Sequence, residues 1–192
     1  MNKSLLIFIF LGILSCNDPD KKATEVVNKT IDEASEELRV ENLELKQSLT
    51  LVHQNLIQSS SDKSLKSKAN LLFEKVSKTD DFIDSIQSVI KTLNRDDVEG
   101  VKAVKNLLAE GRLGDSLRFF LNNTFQQAKD FSINQGQKEK IDSIKTNMFS
   151  PMGMGKSWQA ELFGMTNPLG ASLILFSLQK ELYNVGEIAL HQ

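Results

Sequence analysis

One segment near residue 168 constrains the fold more than any other feature of the chain, because it is apolar on nearly every side. Asn167 and Pro168 form a helix-start signal, since asparagine caps free N–H groups and proline fits the first helical position. The sequence continues as LGASLILFSLQKELYNVGEIAL. A helix that is apolar all round must contact neighbours on several faces. The segment therefore predicts a buried C-terminal helix at the centre of a bundle. The core positions expected at 3–4 spacing are Leu175, Leu178, Leu182 and Val185.

Two longer segments with a 3–4 apolar spacing precede it. The first spans about Ala23 to Gln58, and its seam is diluted by Ser35 and Asn42. After the break QSSSD, where Ser61 or Asp62 can cap a new helix, a stricter seam follows: Leu65, Ala69, Leu72, Val76, Thr79, Ile83, Ile86, Ile90 and Leu93. A short polar loop between two long matched helices favours an antiparallel hairpin. The same seams could instead serve a coiled-coil oligomer, such as a homodimer.

Three shorter helices are expected between the hairpin and the final helix, over about 96–110, 115–133 and 136–148. Gly111 and Gly114 suit a helix end, and Asp115 suits the N-cap of the next helix. The composition, with 40% hydrophobic residues and only three prolines, agrees with a helical domain that has a real core. The predicted fold class is all-α: an antiparallel helical bundle over residues 23–192, with a long N-terminal hairpin and a buried C-terminal helix.

The N-terminus has the layout of a lipoprotein signal. A short basic start, MNK, precedes an apolar run from Leu5 to Leu14, which is too short to span a membrane comfortably. The run ends in ILSC, which resembles a bacterial lipobox, and Cys16 is the single cysteine of the chain. We therefore predict a signal peptide over 1–15, lipidation at Cys16 and a polar tether over 16–22. The domain would then be lipid-anchored to a bacterial membrane, at the periplasmic face or the outer-membrane surface.

Few residues suggest chemistry. The net charge of -2 provides no basic surface for nucleic acid. His53 and His191 have no further ligand at metal-binding spacing, so no metal site and no cofactor are predicted. The acidic pairs Asp80–Asp81 and Asp96–Asp97 are adjacent in sequence and would not face each other on a helix. We interpret them as helix-start charge and solvated surface. No nucleophile and base can be paired, and the chain is predicted to be non-catalytic.

The stretch SPMGMGKSW, residues 150–158, ends like a phosphate-binding loop. The full signature requires a glycine where Ser150 stands, followed by a strand-to-helix context that is absent here. We therefore predict no nucleotide binding. Gly153 and Gly155 are better explained as residues of a tight turn.

This Gly- and Met-rich segment leads into the final helix with a recognisable pattern. Trp158, Phe163, Gly164 and Pro168 are followed by an apolar helix and LQKELYNVGEIAL. The pattern, best over about 150–190, resembles the end of the N-terminal helical domain of the GldM (PorM) family of gliding motility and type IX secretion. The resemblance implies a periplasmic helical bundle in which Trp158 and Phe163 pack as anchors, or contact a partner. We expect no counterpart of the family's transmembrane helix and β-rich domains in this protein, so its motor-coupling role is not carried over.

Two functions follow as expectations. The first is a non-catalytic envelope lipoprotein that acts as an interaction or scaffold module, with an envelope protein as partner and an association with gliding motility or type IX secretion. The alternative is a lipoprotein carrier that binds an apolar ligand within its bundle. A large interior cavity would favour the carrier, and a packed core with exposed apolar residues would favour the scaffold.

Overall fold

The computed structural model describes residues 21–93, 98–104, 106, 112–149 and 168–191. Within these ranges the secondary structure is helical, with no strand. The helices are α1 (Lys21–Ser59), α2 (Lys63–Lys91), α3 (Val98–Val104), α4 (Arg112–Phe131), α5 (Gln135–Phe149) and α6 (Pro168–Leu190). The predicted all-α bundle is confirmed.

Helix α6 is the centre of the bundle and packs against all five other helices. It begins at Pro168, as the sequence predicts, and that proline is buried. Its four predicted core positions are all buried, and Leu175, Leu182 and Val185 have no exposed surface. The prediction of a buried C-terminal helix is therefore confirmed.

Helices α1 and α2 form the predicted antiparallel hairpin. Asp62 ends the short loop between them and accepts a hydrogen bond from the Ser64 N–H at 2.7 Å, so it is the N-cap of α2. The pairs Lys46–Asp80 and His53–Asn70 fix the antiparallel register. Every predicted seam residue of α2 from Ala69 to Ile90 is buried, while the terminal Leu65 and Leu93 are partly buried.

Helices α4 and α5 close the other side of the core. Phe82 of α2 packs on Phe120 of α4 with 4.9 Å between ring centroids. A second contact between these helices joins the hydroxyl groups of Thr79 and Thr124, which are 2.9 Å apart. The apolar positions of α4 and α5 belong to the main core: Leu117, Leu121, Phe125, Ala128, Phe131 and Ile141 are buried, and Ile144 and Met148 pack partly against them.

Helix α5 also satisfies the end of α6. The amide nitrogen of Gln137 donates to the carbonyl of Ile188 at 2.9 Å and to the carbonyl of His191. The last carbonyls of a helix have no partner within the helix. A side chain from the neighbouring helix therefore completes the C-terminal end of α6.

Some boundaries differ from the predictions. Helix α1 begins at Lys21, so residues 21 and 22 of the predicted tether are helical. Helix α4 begins at Arg112, which places Gly114 inside the helix, where it is buried, and Asp115 in the first turn. The predicted cap at Asp115 is therefore wrong. An acid in the first turn is also favourable, because it faces the positive end of the helix dipole.

Candidate functional site: a buried polar network on the central helix

Polar side chains from three helices meet at the Asp80 carboxylate in the middle of the bundle. Asp80 of α2 is only 1% exposed. The hydroxyl of Tyr183 donates to Oδ1 at 2.5 Å, and the Gln179 amide nitrogen donates to the same atom at 2.8 Å, both from α6. The Lys46 ammonium of α1 donates to Oδ2 at 2.7 Å. One carboxylate thus joins the hairpin to the central helix.

The network continues along α2, because the Gln179 side chain of α6 also contacts two further polar residues of α2. The Gln179 amide nitrogen also donates to Asp84 Oδ1 at 2.7 Å, and its oxygen accepts from the Gln87 amide at 3.0 Å. Gln87 and Gln179 are both buried. Burying a carboxylate is costly unless it is paired and hydrogen-bonded, and here three donors surround Asp80.

The environment shifts three pKa values in this network. Burial, and then the hydrogen bond to the Asp80 carboxylate, raises the pKa of the Tyr183 hydroxyl well above its usual value, so the hydroxyl stays a donor. Burial lowers the pKa of Lys46, but its hydrogen bond and charge attraction to Asp80 outweigh that effect, and the net pKa is raised. Burial and the neighbouring charge of Asp80 raise the pKa of Asp84, against the hydrogen bond from Gln179.

This arrangement can hold three helices in one register. Both oxygens of Asp80 accept hydrogen bonds from groups of this chain, and the donors come from α1 and α6. A shift of α1 or α6 by one residue would leave a buried charge unpaired. An unpaired buried charge typically destabilises a protein by about 3–5 kcal/mol. We assign the network a positioning role in the bundle.

The apolar spacing of α2 does not predict this site. The interpretation of Asp80–Asp81 as solvated surface is wrong for Asp80, although Asp81 is exposed. Asp80 follows the seam position Thr79 and faces α6, where buried donors stabilise its charge. A usable signal was present in α6, because Gln179 and Tyr183 stand four residues apart in a helix predicted to be buried. Buried polar groups need partners.

The two histidines do not come together. The His53 ring stacks on Phe73 with 4.3 Å between centroids, and its Nε2 lies 2.9 Å from Asn70 Oδ1. His191 lies at the end of α6, near Glu187 of the same helix. Across the described ranges, no group of three or more His, Cys, Asp and Glu side chains could hold a metal ion.

A cleft of about 180 Å³ lies between α1, the end of α2 and the start of α6. Ser35 and Arg39 line it from α1, and Ile90, Pro168 and Phe176 line it from the other two helices. Charged side chains form part of this wall, and the cleft is small for the apolar ligand that the carrier hypothesis requires. The carrier function stays a prediction without support from this cleft.

The remaining predicted site residues fall outside the ranges that the structure describes: Cys16, Trp158 and Phe163. None of the described helices is both long and apolar enough to cross a membrane. No protein-family model matches the sequence, and no curated protein matches it. The likeness to the GldM family therefore stays a prediction that rests on its residues alone.

Proposed function

We propose that the protein is a non-catalytic lipoprotein of the bacterial cell envelope and acts as an interaction or scaffold module. The observation that carries the proposal is the construction of α1. This helix has 39 residues and starts five positions after Cys16. One side of it packs against α6, and Lys46 joins it to Asp80 of α2. On its outer surface Val40, Leu43 and other side chains are exposed. A long helix held firmly on one side and free on the other suits a docking surface.

The association with gliding motility or type IX secretion belongs to the same proposal. It is supported by the pattern that runs from Trp158 through Phe163 to Pro168 and by the position of Pro168 at the start of the central helix. A lipid at Cys16 would replace the membrane helix of the GldM family. The module would therefore bind a component of such an apparatus rather than couple it to a motor.

Lipidation is tested by the variant Cys16→Ala in cells that process lipoproteins. We expect the wild-type chain to enter the detergent phase and its N-terminal peptide to carry acyl mass, because two or more acyl chains anchor stably. The variant should be found in the aqueous phase. The matched control Ser15→Ala keeps a small residue before the cysteine and should still be lipidated. Equal partitioning of Cys16→Ala and wild type, with no acyl mass on either, would contradict the anchor.

The interaction role is tested separately in intact cells, by placing a photo-crosslinking amino acid at several exposed positions of the bundle. We expect cross-links to one envelope protein from neighbouring positions. An absence of protein cross-links at every position would contradict the interaction function whether or not Cys16 is acylated.

A further inference from the structure

The outer surface of α1 carries a second row of residues at 3–4 spacing, on the side opposite its buried seam. We call this row the outer seam, and every one of its residues is exposed: Glu33, Glu37, Val40, Glu44, Gln47 and Leu51. Val40 and Leu51 are 45% and 58% exposed. The 3–4 spacing is the one by which a second helix packs along a first. The sequence of α1 therefore presents one seam to its own bundle and another to the surroundings.

An open patch of surface lies along the outer seam. Its lining comes from α1 alone and consists of one apolar residue among glutamates: Glu33, Glu36, Glu37, Val40, Glu41 and Glu44. Arg39 pairs with Glu36, and Lys180 pairs with Glu41. Within the described part of the chain, Glu37 and Glu44 have no cation within 4.0 Å. These two unpaired carboxylates flank Val40 along the helix.

The charge of this surface selects the occupant. Between positions 30 and 45 the chain has six acidic residues and a single basic one, Arg39. A second copy docked seam to seam would place glutamates against glutamates, which is unfavourable. An anionic membrane surface would be repelled for the same reason. A cationic helix would pair with Glu37 and Glu44 and cover Val40 and Leu51 with its apolar side.

We propose that the outer seam of α1 binds a basic amphipathic helix of a partner protein. The proposal rests on the proposed interaction function and names the partner's chemistry. Recognition of an amphipathic helix uses apolar anchors at helical spacing. The glutamates add long-range attraction and select a partner of the correct charge.

A defined probe tests the surface directly. The probe is a fluorescent synthetic helix of 21 residues, with an Ala and Leu stripe flanked by lysines, titrated into the full lipidated chain in non-ionic detergent. We expect saturable binding that weakens at least tenfold between 50 and 500 mM salt. A peptide with glutamates in place of the lysines should not bind.

Charge variants locate the binding. The double variant Glu37→Lys with Glu44→Lys should weaken binding of the probe at least tenfold. The matched control, Asp130→Lys with Glu139→Lys, makes the same charge change at exposed positions near the α4–α5 turn and should stay within twofold of wild type. Both proteins should keep a cooperative thermal transition. Equal weakening of probe binding in the two double variants would show that net charge alone attracts the probe, and this would overturn the proposal. An absence of probe binding to the wild-type protein would also overturn it.

Failure of this surface can be distinguished from failure of the proposed function. A photo-crosslinking residue at Val40 should capture the envelope partner through a basic helical segment, while the same residue at Ile133, which is 69% exposed, should not. Capture from other positions but not from Val40 would leave an interaction module whose docking site lies elsewhere. Capture from no position would overturn the interaction function itself.

Discussion

At the scale of single residues, the position of Asp80 decides how the hairpin meets the central helix. Its carboxylate is buried and accepts from two α6 side chains and from Lys46. Neighbouring Asp81 is exposed, and the sequence provides no periodic signal that separates the two. Burial of a charge depends on donors that lie about 100 residues away in the chain, as the separation of 103 between Asp80 and Tyr183 shows. Local sequence patterns indicate the buried donors Gln179 and Tyr183, but they do not identify Asp80 as the acceptor.

The first prediction concerns Tyr183→Phe, which removes one donor to Asp80. At neutral pH the variant should lose roughly 1.5–3 kcal/mol of unfolding free energy, as for a hydrogen bond to a charged group. The folded-state pKa of Tyr183 is raised, so its contribution is complete below the unfolded-state pKa and is lost as pH rises. Above about pH 10 this residue should lower wild-type stability by about 1.4 kcal/mol per pH unit.

Urea melts between pH 8 and 11 measure this effect. The pKa of Lys46 is also raised, so its contribution to the unfolding free energy also falls as the pH rises. Lys46 is present in both proteins. The difference in unfolding free energy between wild type and Tyr183→Phe therefore reports the contribution of the tyrosine. This difference should become smaller above pH 10. Parallel pH profiles for the two proteins would show that the hydroxyl titrates normally.

The second prediction compares two leucines. Leu178→Ala in α6 should cost roughly 2–5 kcal/mol, because it removes a buried side chain and leaves a cavity. Leu51→Ala in α1 should change stability by less than about 0.5 kcal/mol, since Leu51 is 58% exposed. Urea melts at pH 7 give both values. Similar losses of unfolding free energy in the two variants would show either that Leu51 is buried or that Leu178 is not part of the core.

At the scale of elements, periodicity predicted most of the bundle correctly. The α2 seam and the all-round apolar character of α6 each predicted which residues are buried, because helical geometry maps spacing onto a face. Boundaries were less predictable, as the start of α4 at Arg112 shows. A glycine such as Gly114 looks like a helix end in sequence, but packing against the core can keep it within a helix. Tertiary contacts decided that boundary.

The third prediction uses two helical glycines. A Cβ on Gly186 would lie 3.1 Å from Leu49 Cδ1 and 3.3 Å from Val76 Cγ2, and both neighbours are buried. Gly186 thus marks a close approach of α6 to the hairpin. Gly186→Leu should overpack this point and cost at least about 2 kcal/mol. Gly186→Ala should not raise the unfolding free energy, because the close contact of the added Cβ offsets the better helix propensity of alanine.

Gly136 provides the matched control. A Cβ there meets only the Asn134 side-chain oxygen, at an ordinary 3.5 Å, and the position is exposed. Gly136→Ala should therefore stabilise the protein by about 0.5–1 kcal/mol. Thermal melts of the two alanine variants decide the matter. A gain at Gly186 equal to that at Gly136 would show that α6 and the hairpin are not in close contact.

At the scale of the whole molecule, α6 is the element that every other described helix contacts. A chain that lacks residues 168–192 should lose its cooperative thermal transition, since each remaining helix would expose the side that packs on α6. A chain that lacks residues 1–20 should keep it, because the first buried core residue among those that the structure describes is Ile31. Circular dichroism melts of both truncations test this, and a cooperative melt without α6 would contradict a central role for that helix.

The dependence of α1 on α6 also determines the order in which the protein can fold during synthesis. Ser48 of α1 bonds to Glu187 of α6, and 139 residues separate them. At a synthesis rate of roughly 5–20 residues per second, α1 waits on the order of ten seconds for its main partner to be made. During that interval α2 is the one neighbour in the hairpin that α1 can contact, so the side of α1 that packs on α6 has no native cover. A stop codon anywhere before α6 would leave every earlier helix unable to reach its final state.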